Sequence, residues 1–246
     1  MNALETQPFA GWTIIDVDQA PSTNDLAARE SPWTVVRARR QTAGRGRQNR
    51  HWVSSEGGLW LSAVLPAPPS EWVASTAPLV AGLAVVRALG ELGVRPVRLR
   101  WPNDLMVDER KLGGILAERP GIDRLIIGLG LNVHNDPERD DPTLMGQTIS
   151  LARLGLGNLG VSDLSTAVLD ALQRVFHCWV ERGFGALLPD FESLWGTPRQ
   201  VRIVVDQTTL TGRFLGIDAV GNPRIETDSG SVHVVFGPLV WQLIET

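Results

Sequence analysis

The chain has 246 residues, of which 27 are acidic and 23 basic, giving a formal net charge of −4 at neutral pH. This length supports a core without disulfides or structural metal, and it predicts one main domain with a smaller second one. The acidic balance argues against a protein whose main task is to hold a nucleic-acid backbone. A single cysteine excludes an internal disulfide, and no apolar run is long enough to span a membrane, so we expect a soluble cytoplasmic protein.

Hydrophobic periodicity predicts the strands and helices of the first two thirds of the chain. Strands are predicted at 57–65, 97–101, 112–118 and 125–133. A buried helix is predicted at 72–92, with Pro78 kinking it or delaying its start. An amphipathic helix is predicted at 162–182, opened by a Ser162-Asp163 cap. Its apolar stripe indicates core packing rather than a cofactor site, and consists of Leu164, Val168, Leu172, Val175, Phe176 and Trp179.

The C-terminal part is predicted to form a β unit of its own. A boundary near 196–198 divides the chain into residues 1–197 and 198–246. Beyond it, short β-rich runs separated by turn residues follow at 201–205, 209–217, 223–226, 231–235 and 240–244. This pattern predicts a small antiparallel barrel, which at its size must dock on the larger domain to be stable.

The first segment that carries chemistry is rich in arginine and glycine. Residues 37–50 contain six arginines, interleaved with Gly44 and Gly46. Guanidinium groups bind phosphate oxygens in pairs and glycine turns add backbone amides, so the loop suits a polyanionic ligand. A solvated charge run or an RNA-binding arm would give the same cluster. The framing residues Gln41, Thr42 and Trp52 favour a specific pocket, which is not a P-loop because the G-x-x-x-x-G-K-[ST] pattern is absent.

The second segment, 99–116, joins two predicted strands by a polar turn and contains Lys111, the single lysine in a chain with 22 arginines. If the flanking strands form a hairpin, Asn103 and Asp104 lie on the same face as Lys111, and Gly113-Gly114 lets a ligand approach the backbone. A carboxylate would then share a pocket with a compact ammonium on a flexible stem, which a planar guanidinium does not replace.

The third segment is the predicted strand 125–133. Gly128 and Gly130 occupy alternate positions of this strongly apolar strand, where glycine weakens a sheet. On its own a G-x-G pattern has little specificity. Here the two glycines indicate that a flat ligand lies against the strand.

Taken together, five motifs in sequence order resemble those of the biotin protein ligases, and the resemblance covers essentially the whole chain. They are Ser22-Thr23-Asn24, the run 41–47 followed by Trp52, Trp101-Pro102-Asn103-Asp104-Leu105, Lys111-Leu112-Gly113-Gly114-Ile115-Leu116 and Gly128-Leu129-Gly130-Leu131-Asn132. The resemblance implies an α+β fold, in which a catalytic core like that of class II aminoacyl-tRNA synthetases, a mixed sheet flanked by helices, precedes an SH3-like barrel. Some relatives begin with a DNA-binding helix-turn-helix domain. Only 21 residues precede Ser22, so we expect a monofunctional ligase that does not bind DNA.

The implied reaction has two steps. Biotin and ATP give biotinyl-5′-adenylate and pyrophosphate, and the acyl group then passes to a lysine of a biotin carboxyl carrier domain. Biotin and ATP with Mg²⁺ are therefore expected as substrates, without a tightly bound cofactor. The sequence has no dense cluster of carboxylates from which the Mg²⁺ ligands could be predicted. The expected partners are biotin, ATP and the carrier domain of a biotin-dependent carboxylase, with neither DNA nor a membrane. Monomer and homodimer both remain open.

The resemblance also implies residue roles. Biotin is expected to contact Ser22, Thr23, Asn24, Gln41, Arg45, Gly46, Arg47, Lys111 and Gly114. The nucleotide is expected to contact Arg50, Trp52, Asn103 and Asn132. The expected catalytic residues are Lys111, which would bridge the biotin carboxylate and the α-phosphate, Arg45 and Arg47, which would close over both, and Asp104, which would orient or deprotonate the acceptor lysine. Two positions depart from the family pattern: Arg100 stands where lysine is usual, and Arg47-Gln48-Asn49-Arg50 replaces Arg-Arg-Gly-Arg.

Two interpretations from other classes remain open. A lipoate-type acyl ligase or transferase shares the core architecture, although the arginine-glycine loop and the Trp-Pro-Asn-Asp turn favour biotin. A non-enzymatic nucleic-acid-binding module could use residues 37–50 for phosphates and Trp52 to stack on a base. The four histidines are scattered along the chain, so a zinc hydrolase has no support in the sequence.

Overall fold

The structure is a computed structural model, and it describes residues 3–68, 73–94, 96–195, 199–205, 208–235 and 242–245. The predicted boundary at 196–198 lies outside the described residues, so the division of the chain at that point stays a prediction. Residue 72, where the first long helix was expected to start, and residues 240–241 of the last expected strand also lie outside them.

An eight-stranded mixed sheet forms the centre of the larger part of the chain. Its order across the sheet is β1 (Ala3–Phe9), β2 (Trp12–Ala20), β3 (Thr34–Gln41), β4 (Leu59–Pro66), β8 (Arg124–Leu131), β7 (Arg110–Glu118), β6 (Asp104–Val107) and β5 (Arg98–Arg100). Strands β2 and β3 run parallel, and the other neighbouring pairs are antiparallel. The carboxyl end of β3 leads directly into the arginine-glycine loop.

Two long helices, α2 (Val73–Glu91) and α4 (Val161–Arg182), cover one face of this sheet. Because successive side chains of a strand point to opposite faces, the odd-numbered residues of β4 and β8, such as Leu61 and Leu129, pack under these helices. The short helix α1 (Thr23–Ala27) lies on the other face, where Ala27 packs with Val64 and Ile126. Gly128 and Gly130 share that second face.

Two further short helices, α3 (Pro137–Asp140) and α5 (Leu188–Glu192), follow β8 and α4. In the part of the chain that the structure describes, none of the helices combines the length and apolarity needed to cross a membrane. The predicted apolar stripe of α4 is buried in the core, which confirms its assignment to packing.

A second sheet of five antiparallel strands follows. Its order is β12 (Val232–Val234), β11 (Pro223–Glu226), β10 (Thr208–Ile217), β9 (Arg199–Val205) and β13 (Gln242–Glu245). It meets the core through Trp101, whose indole N–H donates to the carbonyl of Gly221 at 3.0 Å. Glu109 adds ion pairs to Arg98 in β5 at 2.7 Å and to Arg199 in β9.

The predicted fold class is confirmed, with two local corrections. The polar segment between the strands at 97–101 and 112–118 is not the turn of a single hairpin, because it contains the extra strand β6. Asp108 and Glu109, with φ of 46° and 61°, make the tight turn between β6 and β7. The N-cap of α4 is Gly160 rather than Ser162, and no side chain caps it.

Candidate active site

A cavity of about 590 Å³ lies on the face of the core sheet opposite α2 and α4. Every site residue that the sequence predicted lines this cavity, namely Ser22, Thr23, Asn24, Gln41, Arg45, Gly46, Arg47, Arg50, Trp52, Asn103, Asp104, Lys111, Gly114 and Asn132. The structure thus brings together residues from α1, β3, the arginine-glycine loop, β6, β7 and the segment that follows β8. Their roles towards a ligand remain predictions.

A network of short polar side chains forms one end of the cavity. Gln41 Oε1 accepts hydrogen bonds from the backbone N–H (2.8 Å) and the hydroxyl (3.1 Å) of Thr23, and its Nε2 donates to Ser54 Oγ (2.9 Å). The buried hydroxyl of Ser62 lies 2.7 Å from Thr23 Oγ1 and 2.5 Å from Asn24 Oδ1. These bonds fix where donors and acceptors stand, because buried polar groups need partners. Ser62 was not predicted, although it is polar in the middle of an otherwise apolar strand.

Gly128 and Gly130 make room for side chains of the protein itself. A Cβ atom at position 128 would lie 2.3 Å from Asn24 Oδ1, and one at position 130 would lie 2.4 Å from Trp52 Nε1. Gly128 thus leaves room for the amide of Asn24 and Gly130 for the indole of Trp52, while a flat ligand against the strand stays a prediction. The two glycines seat the side chains that form the cavity wall.

Lys111 lies at the centre of a compact group of charges. Its Nζ is 2.6 Å from Asp104 Oδ1 and 5.1 Å from the centroid of the Trp52 ring. Arg100 holds the other carboxylate oxygen of Asp104 at 2.7 Å. Burial raises the pKa of Asp104, but the charges of Lys111 and Arg100 outweigh it and hold this pKa below its ordinary value. Asp104 is therefore a carboxylate of low basicity, which favours its orienting role over deprotonation of an acceptor.

Arg45 reaches from the loop to two carboxylates. It pairs with Asp25 at 2.8 Å and with Glu118 at 3.1 Å, and Glu118 also accepts a hydrogen bond from Asn24 Nδ2 at 2.6 Å. Burial lowers the pKa of Arg45, but its bonds to Asp25 and Glu118 outweigh this and leave it raised. Glu118 thus ties the loop to the polar network, a role that the sequence did not indicate.

Arg47 and Asn103 extend the positive side of the wall. Arg47 Nη1 donates to Asn103 Oδ1 at 3.3 Å, and Asn103 is fixed to β7 by its Nδ2 on the carbonyl of Ile115 at 3.0 Å. The pKa of Arg47 is lowered, mainly by burial; the charge of Asp104 opposes this and that of Arg50 adds to it. Arg50 itself is exposed at the rim.

The loop between Arg45 and His51 closes as a short hairpin. Arg45 and His51 form an antiparallel bridge, and the N–H of Gly46 donates to the carbonyl of Arg50 at 2.8 Å. Gln48 and Asn49 adopt positive φ of 56° and 55° at its tip. This hairpin places the guanidinium groups of Arg45 and Arg47 at the cavity. An unstructured RNA-binding arm would not need such an ordered loop.

A further part of the cavity wall comes from the segment after β8. The buried amide of Asn132 donates to the carbonyl of Ile149 at 3.2 Å and accepts from Asn135 at 3.0 Å, so both ends have protein partners. The N–H of Lys111 donates to the carbonyl of Gln147 at 2.8 Å, which brings Gln147 and its neighbours Leu144 and Thr148 to the cavity. No sequence motif marked these three residues, because only the folded chain places them beside Lys111.

The cavity combines an ammonium and guanidinium groups with a polar, uncharged end. Such a site can hold two anionic groups close together and stabilise the charge that develops between them. Among the described residues, no three His, Cys, Asp or Glu side chains converge as metal ligands would. Mg²⁺ ligands therefore remain unassigned.

Comparison with known proteins agrees with this geometry. Residues 17–132 match the biotin/lipoate A/B protein ligase family. The bifunctional ligase/repressor BirA of Bacillus spizizenii is 30% identical over 232 residues, which cover 89% of this chain and 71% of that protein. The biotin--[acetyl-CoA-carboxylase] ligase of Mycobacterium tuberculosis is 36% identical over 186 residues, 69% of this chain and 66% of that protein. The match to BirA of Bacillus subtilis likewise spans 66% of its length.

A solved structure extends the similarity to the whole fold. The biotin protein ligase from Aquifex aeolicus, in complex with biotin and ATP, superposes with a TM-score of 0.84 at 28% identity, covering 97% of this chain and all of that one. Fold and cavity thus define the class, a ligase core of the class II synthetase type with a small C-terminal β unit. The chain belongs to the biotin protein ligase family.

Proposed function

We propose that this chain activates biotin as biotinyl-5′-adenylate and transfers the acyl group to a lysine of a biotin carboxyl carrier domain in the cytoplasm. The observation that carries the proposal is the position of Lys111. Its ammonium stands in one cavity with the polar network of Thr23, Asn24 and Gln41 and with the guanidinium groups of Arg45 and Arg47. Family membership and the fold of the Aquifex aeolicus ligase support the same reaction.

The first step joins two anions. An oxygen of the biotin carboxylate attacks the α-phosphorus of ATP, the bond to the β-phosphate oxygen breaks, and pyrophosphate leaves. Lys111 would stabilise negative charge on both partners, because its small ammonium can follow that charge as it moves from carboxylate to phosphate. Arg45 and Arg47 would hold the anionic groups from the loop, while ATP brings its Mg²⁺ as part of the substrate.

The polar end of the cavity suits the ureido ring of biotin. That group presents N–H donors and a carbonyl acceptor, and the hydroxyls and amides of Thr23, Asn24 and Gln41 are held by the network around Ser62. A lipoate ring has neither N–H donors nor a carbonyl, so it would use none of the hydrogen-bonding capacity that these side chains keep beyond their bonds to one another. The geometry therefore favours biotin over lipoate.

In the second step the amine of the carrier lysine attacks the acyl carbon and AMP leaves. Asp104 would orient this amine, while its low basicity argues against removal of the proton by Asp104. The remaining roles are unchanged from the sequence: Ser22, Gly46 and Gly114 at biotin, and Arg50, Trp52, Asn103 and Asn132 at the nucleotide. The choice between monomer and homodimer also stays a prediction.

Calorimetry and labelling together test this function. We expect biotin to bind and to be transferred, with ATP, to a carrier domain, and we expect pyrophosphate exchange with biotin but not with lipoate. Absence of biotin binding would remove the proposal. Exchange that responds equally to lipoate would assign the protein to the other branch of the family, and salt-dependent RNA binding without ATP turnover would make it a nucleic-acid-binding module.

A further inference from the structure

The adenylate that this enzyme is proposed to make reacts with amines, and this inference rests on that proposed function. An acyl-adenylate is a mixed anhydride whose carbonyl carbon is attacked by a neutral amine to give a stable amide. An enzyme that holds such a compound therefore exposes its own amines to acylation. Close placement raises that risk, because a well-oriented neighbour reacts as if its concentration were about 10⁵ M or more.

The amino-acid sequence restricts this risk to one side chain. Lys111 is the single lysine of the 246 residues, so every other side-chain cation is a guanidinium that does not lose its proton in proteins. Yet Lys111 lines the cavity in which the adenylate would form, with 28% of its side chain exposed. The residue that stabilises the reacting groups is thus also the amine nearest to the reactive product.

The surroundings of Lys111 oppose its reaction as a nucleophile. Asp104 Oδ1 lies 2.6 Å from the ammonium, and the Trp52 ring faces it at 5.1 Å from the ring centroid. Both a carboxylate and an aromatic face bind an ammonium group directly. Arg100 fixes the second oxygen of Asp104 at 2.7 Å, so the carboxylate is held from both sides.

We propose that Asp104, anchored by Arg100, protects Lys111 from acylation by the enzyme's own adenylate, because it holds the Lys111 nitrogen as an ion-paired ammonium without a free lone pair. Asp104 is a positioning residue in this role.

The reaction that Asp104 prevents is a complete acyl transfer. The neutral Lys111 nitrogen would attack the carbonyl carbon, the carbon–oxygen bond to AMP would break, and AMP would leave with the electron pair. The nitrogen would release a proton to solvent, and a stable amide would remain. No further reagent is needed, and the product would lack the charge required for the next adenylation.

Asp104→Asn tests the proposal because it preserves size but removes the negative charge. The variant removes the anion that both Lys111 and Arg100 contact, so the ion pair that holds the Lys111 nitrogen is lost. With synthetic biotinyl-5′-adenylate supplied directly, we expect intact-mass spectrometry and peptide mapping to find one biotinyl group on Lys111 of the variant. Acylation should be at least about tenfold faster than in the unmodified sequence, since the loss of one charge-assisted hydrogen bond changes an equilibrium about tenfold or more.

Two further variants separate this role from a structural one. Asp104→Glu keeps the carboxylate but enlarges the side chain, so we expect it to retain most of the protection. If only the size of the side chain mattered, Asp104→Asn would protect Lys111 better than Asp104→Glu. Arg182→Lys adds an exposed amine at the end of α4, outside the cavity, and reports the background rate of acylation by free adenylate. Peptide mapping also separates Lys111 from the N-terminal amine.

The proposal is overturned if Asp104→Asn binds the adenylate in calorimetry yet is acylated at Lys111 no faster than the unmodified sequence or the amine added by Arg182→Lys. Acylation of Lys111 in the unmodified sequence at the rate of the variant would overturn it as well. If the unmodified sequence does not bind the adenylate at all, the proposed function fails first and this inference fails with it. The calorimetric measurement distinguishes that outcome from the other two.

Discussion

Lys111→Arg keeps the positive charge of the side chain but changes its shape, which makes it the sharpest test of a single residue. The planar fork cannot occupy the space of an ammonium that lies 2.6 Å from Asp104 and faces the Trp52 ring. We expect adenylate formation, measured by biotin-dependent pyrophosphate exchange, to fall about 100-fold or more, as when one oriented donor to a developing charge is lost. The melting temperature should change little.

The reverse exchange at an exposed position provides the control. Arg182→Lys changes the same chemistry on the surface of α4 and should leave pyrophosphate exchange and melting unaltered. If Lys111→Arg exchanged pyrophosphate at nearly the normal rate, the single lysine would be an accident of composition and its proposed role would be wrong.

At this scale the sequence predicted residues that belong to local motifs and missed those that act through distant contacts. The predicted site residues all reach the cavity because each motif fixes its own turn or strand. Glu118 and Gln147 were missed, since their importance depends on hydrogen bonds to Asn24 and to the backbone of Lys111, far along the chain. No spacing within one segment records such a contact.

At the scale of the element, strand β8 has glycines that neighbouring side chains leave no room to replace. Gly130→Ala would place a Cβ atom 2.4 Å from Trp52 Nε1. Trp52 must then move off the strand and away from Lys111. We expect a loss of about 1–3 kcal/mol in the free energy of unfolding, as for an overpacked site, measured by urea denaturation. The KM for ATP in pyrophosphate exchange should rise as well.

Gly157→Ala is the matched control for this change. Position 157 lies in an exposed turn, and an added Cβ atom there would meet its nearest neighbour at 3.9 Å. This variant should unfold like the unmodified sequence and keep its KM. If Gly130→Ala and Gly157→Ala had equal free energies of unfolding and equal KM values, the position of Trp52 would not depend on Gly130.

The elements themselves differ in how clearly the sequence marked them. Helix α4 and strand β8 carry long regular patterns, and both were predicted to within a few residues. Strand β2 alternates irregularly between buried and exposed positions, and the N-terminal strands were not predicted. Strand β6 has only four residues, and its turn reaches positive φ with Asp108 and Glu109 rather than with glycine or asparagine. The usual hairpin signal was therefore absent.

At the scale of the whole molecule, aromatic contacts and ion pairs hold the C-terminal sheet on the core. Trp101 donates from the turn beside the cavity to the carbonyl of Gly221, and Trp195 packs edge-on against Phe214. Glu109, at the tip of the β6–β7 turn, pairs with Arg98 of the core and with Arg199 of β9. Strand β6, which begins at Asp104, is thus held to the C-terminal sheet by contacts of Trp101 before it and of Glu109 after it.

Glu109 makes this docking dependent on pH. Burial raises the pKa of Glu109, but the bonds and charges of Arg199 and Arg98 together outweigh it, so the pKa in the folded protein lies below its ordinary value of 4.5. A carboxyl group with a lowered folded pKa contributes stability that is fully present above its unfolded value. That contribution is lost as the pH falls through the folded value.

Glu109→Gln therefore tests the link between the two sheets. Above about pH 5 the variant should melt below the unmodified sequence, and the difference should shrink as the pH is lowered past 4.5, because protonation of Glu109 then removes the same charge. The difference should be small and weaker at high salt, since Glu109 is more than half exposed. Asp228→Asn, at an exposed turn before β12, should show no such pH dependence. The difference in melting temperature between Glu109→Gln and the unmodified sequence could instead stay constant or widen in acid. The C-terminal sheet would then be held by Trp101 and apolar packing, without a contribution from this ion pair.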